Sequence, residues 1–251
     1  MTRGLTGRAA IVTGGARGIG RATCLALARA GATVAALDID SAGLAELARA
    51  DSGPGRILPM ACDVAEREAV FAATERVVAE AGGLDLLVAC AVHFHFAPLV
   101  ETPPAIVRQM LAVGLEGTLW AMQAAIPHLE RRGGGLIVGL SSVAVFYGIR
   151  HAGVYTAIKG AIDALVRQQA VELGPKNIRV VALAPGPVDT PGARSVIDDA
   201  GFAARQARTP LGRLATAEDI AAAVVWLASE DARSITGITL KIDGGITLAA
   251  P

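Results

Sequence analysis

The chain has 251 residues, of which 53% are hydrophobic, and its 23 basic side chains balance 23 acidic ones. Zero net charge offers no electrostatic hold on nucleic acid or an anionic membrane surface, and no apolar run reaches the length of a membrane span or a secretory leader. Cys24, Cys62 and Cys90 are odd in number and scattered, so reduced thiols in a cytoplasmic setting are expected rather than disulfides or a metal site.

The first predicted strand covers 9–13 and runs into a turn holding Gly14, Gly18 and Gly20, before a helix predicted over 18–30. Glycines there let the backbone approach a pyrophosphate, and the following helix offers free N–H groups and the positive end of its dipole. The spacing, G-x-x-x-G-x-G, differs from the G-x-G-x-x-G fingerprint. Arg17 and Ile19 stand inside the same turn, where Arg17 could meet a phosphate. A second strand, 33–38, ends at Asp38. Its carboxylate can accept hydrogen bonds from adenosine ribose hydroxyls and would repel a 2′-phosphate. Asp38 outweighs Arg17, so NAD is the expected dinucleotide.

A helix over 42–50 and a strand over 57–62 lead to Asp63 and Val64, where Asp63 could cap the helix predicted over 66–81. The fourth strand, 85–90, delivers Cys90 and Ala91, followed by His93, Phe94, His95 and Phe96. No acid or cysteine cluster accompanies the H-x-H spacing, so no metal site is expected. Phe94 and its neighbours either line a partly aromatic substrate pocket or cover the sheet edge, and both readings stay open.

A long helix is predicted over 104–130, then a strand over 136–141 that presents the Ser142 hydroxyl at its end. Val145, Phe146 and the loop residue His151 follow. The next helix, 155–173, carries Tyr155 and Lys159 four residues apart and therefore on one face. A tyrosine hydroxyl titrates near ~10, and a nearby ammonium is expected to lower that value enough for proton exchange with an alcohol or ketone. The remaining elements are a strand over 178–184, the turn 185-PGPVDT-190, a substrate-lid segment expected near 190–212, a helix over 217–229 and a strand over 238–242.

Strands alternating with helices imply an α/β fold: a Rossmann-type doubly wound parallel sheet, expected as a single domain over 1–251, with ligands outside the strand carboxyl ends. Gly14–Gly20, Asp38, Asp63, Ser142 and Pro185–Thr190 all fall at such ends, so they converge on one side.

Taken together, 13-TGGARGIG-20, Asp38, 62-CDV-64, 85-DLLV-88, Ser142, 155-YTAIK-159, 185-PGPVDT-190 and 237-GITLKIDGG-245 resemble the short-chain dehydrogenase/reductase family over nearly the whole chain. The resemblance implies that Asp63 and Val64 contact adenine and that Cys90 and Ala91 border the dinucleotide. It implies that Pro185, Gly186, Val188 and Thr190 form the nicotinamide-side loop, with Val188 and Thr190 near the carboxamide. It also implies dimers or tetramers built on the long helices. Lys159 would hydrogen-bond the nicotinamide ribose, Tyr155 would exchange the proton, and Ser142 would hold the substrate oxygen.

Four positions depart from the family pattern. Ala89, Cys90, Ala91 and Val92 replace Asn-Asn-Ala-Gly, and Val92 puts a branched side chain where glycine admits the cofactor ribose. The family's helix asparagine is Gly114, the asparagine before Pro-Gly is Val181, and the serine before the lysine is Ile158. Because the asparagine acts through its backbone carbonyl and glycine tolerates irregular backbone, a local helix distortion is expected at Gly114, with a water leading from its carbonyl to Lys159. The reading is an NAD-dependent oxidoreductase for a secondary alcohol or its ketone, with Phe94, Val145, Phe146 and the segment after Thr190 suggesting an apolar or cyclic substrate. A dinucleotide-binding sensor with weak catalysis, or a non-redox isomerase or lyase reusing Tyr155, are the alternatives.

Overall fold

The computed structural model describes residues 4–249, so the ends of the expected 1–251 unit, residues 1–3 and 250–251, lie outside the described residues. Seven strands form one parallel sheet: β1 Ala9–Thr13, β2 Thr33–Asp38, β3 Arg56–Ala61, β4 Leu86–Ala89, β5 Gly135–Leu140, β6 Ile178–Pro185 and β7 Thr239–Ile242, in the order β3-β2-β1-β4-β5-β6-β7. The central strands read as continuous apolar runs because helices cover both faces of the sheet. All five residues of β1 are buried, with Ala10 and Val12 facing one core and Ile11 the other.

Helices α1 Gly18–Arg29, α2 Ser41–Arg49 and α9 Ala217–Leu227 close one face through Leu27, Leu44, Leu47, Ile220 and Val224. Helices α3 Arg67–Ala81, α5 Gly117–Arg131 and α6 Gly153–Leu173 close the other through Val70, Val77, Ala125, Leu129 and Val166. The strand order reverses between β1 and β4, and registers such as Thr13↔Leu37 and Thr13↔Ala89 align their carboxyl ends. A crevice therefore opens there, where α/β sheets bind ligands.

The helix expected over 104–130 is not regular. It runs as α4 Pro104–Leu111, a π-helical turn Ala112–Glu116 centred on Gly114, and α5. The expected distortion at Gly114 is present. Between β6 and α9 lie two short helices that periodicity did not reveal, α7 Pro191–Arg194 and α8 Asp199–Ala207. Each is made by its cap: Thr190 accepts from the Ala193 N–H, and Asp198 from the Gly201 N–H.

At the opposite, amino end of the strands the buried Asp85 carboxylate binds the Ala9 N–H at 2.8 Å, Arg8 at 2.9 Å and Arg132 at 3.2 Å. Among the described residues no helix is long and apolar enough to cross a membrane, and no group of three metal-ligating side chains occurs.

Candidate active site

The turn after β1 is shaped by steric necessity. Gly14 has φ +69°, and a Cβ there would stand 2.9 Å from the Ala91 Cα; a Cβ on Gly20 would stand 2.0 Å from the Gly14 carbonyl oxygen. Only glycine fits either position. Behind this turn α1 starts with no side-chain cap from Arg17, so its first N–H groups face the crevice unengaged by a cap. A bare helix N-terminus beside a glycine cradle fits a pyrophosphate.

At the end of β2 the Asp38 carboxylate accepts the Ala16 N–H at 3.0 Å and the Asp40 N–H at 2.9 Å. Arg17 is turned aside: its guanidinium pairs with Asp40 at 2.5 Å. The Gly43 N–H and Arg17 together hold the Asp40 carboxyl below its usual range. Between β1 and β4, the buried Thr13 hydroxyl accepts the Cys90 N–H at 3.0 Å and the Ala91 N–H at 3.2 Å, which fixes the loop that leaves β4.

Two bonds fasten α6 to the end of β5. Lys159 Nζ donates to the Leu140 carbonyl at 2.6 Å, and the Ser141 hydroxyl donates to the Lys159 carbonyl at 3.2 Å. Ser142 Oγ accepts the Ala144 N–H at 3.2 Å, which leaves its own proton free, and it acts on the Tyr155 hydroxyl in the sense that lowers its pKa. The rings of Phe94 and Phe96 each lie 5.5 Å from that of Tyr155, Phe94 stacked within 24° of parallel. Phe94 also touches α7, since a Cβ on Gly192 would come within 3.0 Å of its ring.

These elements enclose a cleft of about 720 Å³. Gly14, Arg17, Gly18, Ile19, Gly20, Asp38, Cys90, Ala91, Phe94, Ser142, Tyr155, Lys159, Pro185, Gly186, Val188 and Thr190 line it, as expected from the sequence. Four expected residues do not. Asp63 is exposed and spends its carboxylate on the Ala65 N–H, and Val64 is buried in the core beside α5. The α3 N-cap is Glu66, so Asp63 does not cap that helix either. Val145 also faces away: the 3₁₀ turn 143–145 presents Val143 to the cleft, and Phe146 lies exposed beneath Lys241. Sequence reading missed Asp40, Tyr147, Ile149 and Arg205, which complete the wall.

The electrostatics also differ from expectation. Burial pushes Tyr155 up to about 12, against the opposing pull of Ser142, instead of a lysine pulling it down. The cause is geometric: two phenyl rings cover Tyr155, while the Lys159 ammonium is turned to Leu140 and is itself lowered to about 8 by burial. The departures from the family pattern fall into place individually. Val92 lines the cleft without a left-handed backbone, and Val181 is wholly buried inside β6. A Cβ on Gly114 would stand 3.0 Å from Ile158 Cγ2, so the large residue at 158 fills the space that the small one at 114 vacates. The Gly114 carbonyl accepts the Thr118 hydroxyl at 2.9 Å.

A family model described as enoyl-(acyl carrier protein) reductase matches residues 14–247. The chain belongs to the short-chain dehydrogenase/reductase family. It is 39% identical to cis-4-hydroxycyclohexanecarboxylate dehydrogenase of Sinomonas cyclohexanicum, covering 96% of each chain. It is 35% identical to a 3-oxoacyl-(acyl-carrier-protein) reductase of Thermotoga maritima, covering 97% of this chain and 99% of that one. Among solved structures, a 7α-hydroxysteroid dehydrogenase complexed with NADH and 7-oxo glycochenodeoxycholic acid superposes with a TM-score of 0.92 at 30% identity, over 97% of this chain and 96% of the other. Membership of this family makes the chain an oxidoreductase that exchanges hydride between alcohol or ketone and a nicotinamide dinucleotide.

Proposed function

We propose that the protein is an NAD-dependent dehydrogenase of a secondary alcohol on an apolar or cyclic body. The observation that carries this reading is the meeting of Ser142, Tyr155 and Lys159 with the glycine cradle and Asp38 in one cleft. When bound, the dinucleotide supplies the hydride acceptor or donor. Tyr155 is the proton carrier: above its own value of about 12 it would be phenolate, so near neutrality it stands as a hydroxyl ready to donate to a ketone oxygen. Ser142 donates a second hydrogen bond to that oxygen as charge develops on it. Lys159, lowered to about 8 by burial, is the neighbouring group that titrates closest to neutrality, with its Nζ 5.7 Å from the centre of the Tyr155 ring.

Preference for NAD over NADP is supported by two carboxylates, Asp38 and Asp40, at the adenosine end. The arginine there is already neutralised by Asp40. A 2′-phosphate would meet net negative charge. The ring-bearing substrates in the names of two relatives, together with Phe94 and Phe96 over Tyr155, support a cyclic body. Residues 190–212 act as a lid over it, hinged where Thr190 meets Gly18. We also assign the protein to homo-oligomers, dimeric or tetrameric, in the cytoplasm, in keeping with its free cysteines. The test is absorbance of reduced nicotinamide with NAD or NADP and a panel of cyclic and open-chain secondary alcohols. Cyclic alcohols with NAD should respond; silence across the panel would overturn the assignment in favour of a dinucleotide sensor.

A further inference from the structure

The charged residues of the cleft wall occupy three places. Arg17, Asp38 and Asp40 stand at the adenosine end, where the arginine is paired. Lys159 stands at the floor, bonded to Leu140. Arg205, on α8, stands at the far end. One of its N–H groups donates to the Gly201 carbonyl at 2.8 Å, and among the described residues it has no ion-pair partner. A guanidinium has five N–H donors, so most of the capacity of Arg205 is unspent among the described residues.

Arg205 is half-buried. The apolar part of the cleft lining includes Phe94, Val143, Ile149, Val196 and Ile197. Tyr147 lines the cleft as well; its hydroxyl has no hydrogen-bond partner within the described residues and feels the charges of Arg205 and Arg208. Asp243 also faces Tyr147, but its oxygens are taken by the Gly245 and Thr247 N–H groups and the Thr247 hydroxyl. A partly desolvated guanidinium without a carboxylate is a site for one.

We propose that the substrate carries a carboxylate, held by Arg205 with the Tyr147 hydroxyl as second donor, at the end of the cleft opposite Asp38. This rests on the reading of the cleft as a dehydrogenase site, and it adds what the substrate must bear besides its alcohol. The apolar wall takes the body, and Arg205, the arginine of the wall that has no ion pair among the described residues, selects the anion. Both donors are half-buried, so an analogue lacking the acceptor leaves them less well satisfied than the acid does.

The experiment measures binding and turnover separately. Calorimetry on the protein saturated with NADH compares cyclohexanecarboxylate with cyclohexanecarboxamide; oxidation by NAD compares 4-hydroxycyclohexanecarboxylate with its amide. Charge-assisted hydrogen bonds of this kind are worth roughly 10- to 100-fold in affinity, so the acid should bind at least ~10-fold more tightly. Arg205→Gln should bring the acid-to-amide ratio close to one, Arg205→Lys should keep part of it, and Tyr147→Phe should lower it a few-fold. Melting temperatures confirm that each variant is folded, and Tyr147→Phe decides the matter should Arg205→Gln fail to fold. Equal binding of acid and amide by the native protein, or a ratio unmoved in both Arg205→Gln and Tyr147→Phe, overturns the proposal. Oxidation of both alcohols without acid preference overturns it while leaving the dehydrogenase reading intact. Acid preference in binding without oxidation of any alcohol overturns the dehydrogenase reading alone.

Discussion

Tyr155 sits under Phe94 and Phe96 with its proton held tightly, and Lys159 sits buried with its proton held loosely. The pair is therefore poised in opposite senses, tyrosine as donor and lysine as the group that titrates close to physiological pH. Tyr155→Phe keeps the ring stack but removes the proton carrier, so turnover should fall by ~10²-fold or more while calorimetry shows dinucleotide binding preserved. Near-native turnover would exclude the assigned role. In alcohol oxidation the departing proton needs a vacant site, which the neutral amine of Lys159 provides above about pH 8. Oxidation should accordingly rise through about pH 8 and ketone reduction fall there; initial rates across that range in both directions check it, and flat profiles refute it. Folding has its own signature. The cost of burying the ammonium is present in full below about pH 8 and is relieved as pH rises towards 10.5, so this residue's contribution to stability increases across that window. The proton-exchange role of Tyr155 was legible from the four-residue spacing, but the directions of the two shifts were not. The spacing placed both groups on one face, but the sign of the Tyr155 shift is set by rings that arrive from a loop some sixty residues earlier in the chain.

Elements were legible wherever one interaction dominates. Apolar runs marked the central strands, because a sheet covered on both faces tolerates little else there, while the edge strands β3 and β7 are only partly buried. Helices α7 and α8 escaped notice because caps, not an apolar stripe, create them. Asp63 and Val145 were misplaced for a related reason: an Asx turn and a 3₁₀ turn each redirect the chain by one residue's facing, which periodicity does not register. The π-turn at Gly114 was anticipated, but its partner was not, since the contact with Ile158 joins two helices. Gly114 and Ile158 behave as one unit of volume. Gly114→Asn alone should destabilise by about 1–3 kcal/mol through overpacking. Ile158→Ser alone should leave a cavity, and the double variant should recover much of both losses, with a coupling of roughly 1–2 kcal/mol. Denaturant melts of the four proteins measure it, and strict additivity would remove the compensation argument.

Across the whole molecule, dinucleotide binding and folding are linked, because the glycine cradle, Asp38 and Thr190 are brought together only in the native chain. A ligand at ~100 times its dissociation constant adds about 2.7 kcal/mol to stability, or roughly 5 °C in melting temperature for a chain of this size. NAD should produce such a shift, and NADP at equal concentration a much smaller one. Equal shifts would remove the case built on Asp38 and Asp40. The amino ends of the strands play no part in this linkage. There Asp85 ties β1 to the end of α5 through Arg8, Arg132 and the Ala9 amide, a full strand length from every residue that lines the cleft. The two rims of the sheet are thus under separate inheritance. Loops on the carboxyl rim, residues 92–98, 143–151 and 190–212, are open to exchange with those of a relative, carrying a new substrate preference onto a frame whose clasp lies elsewhere.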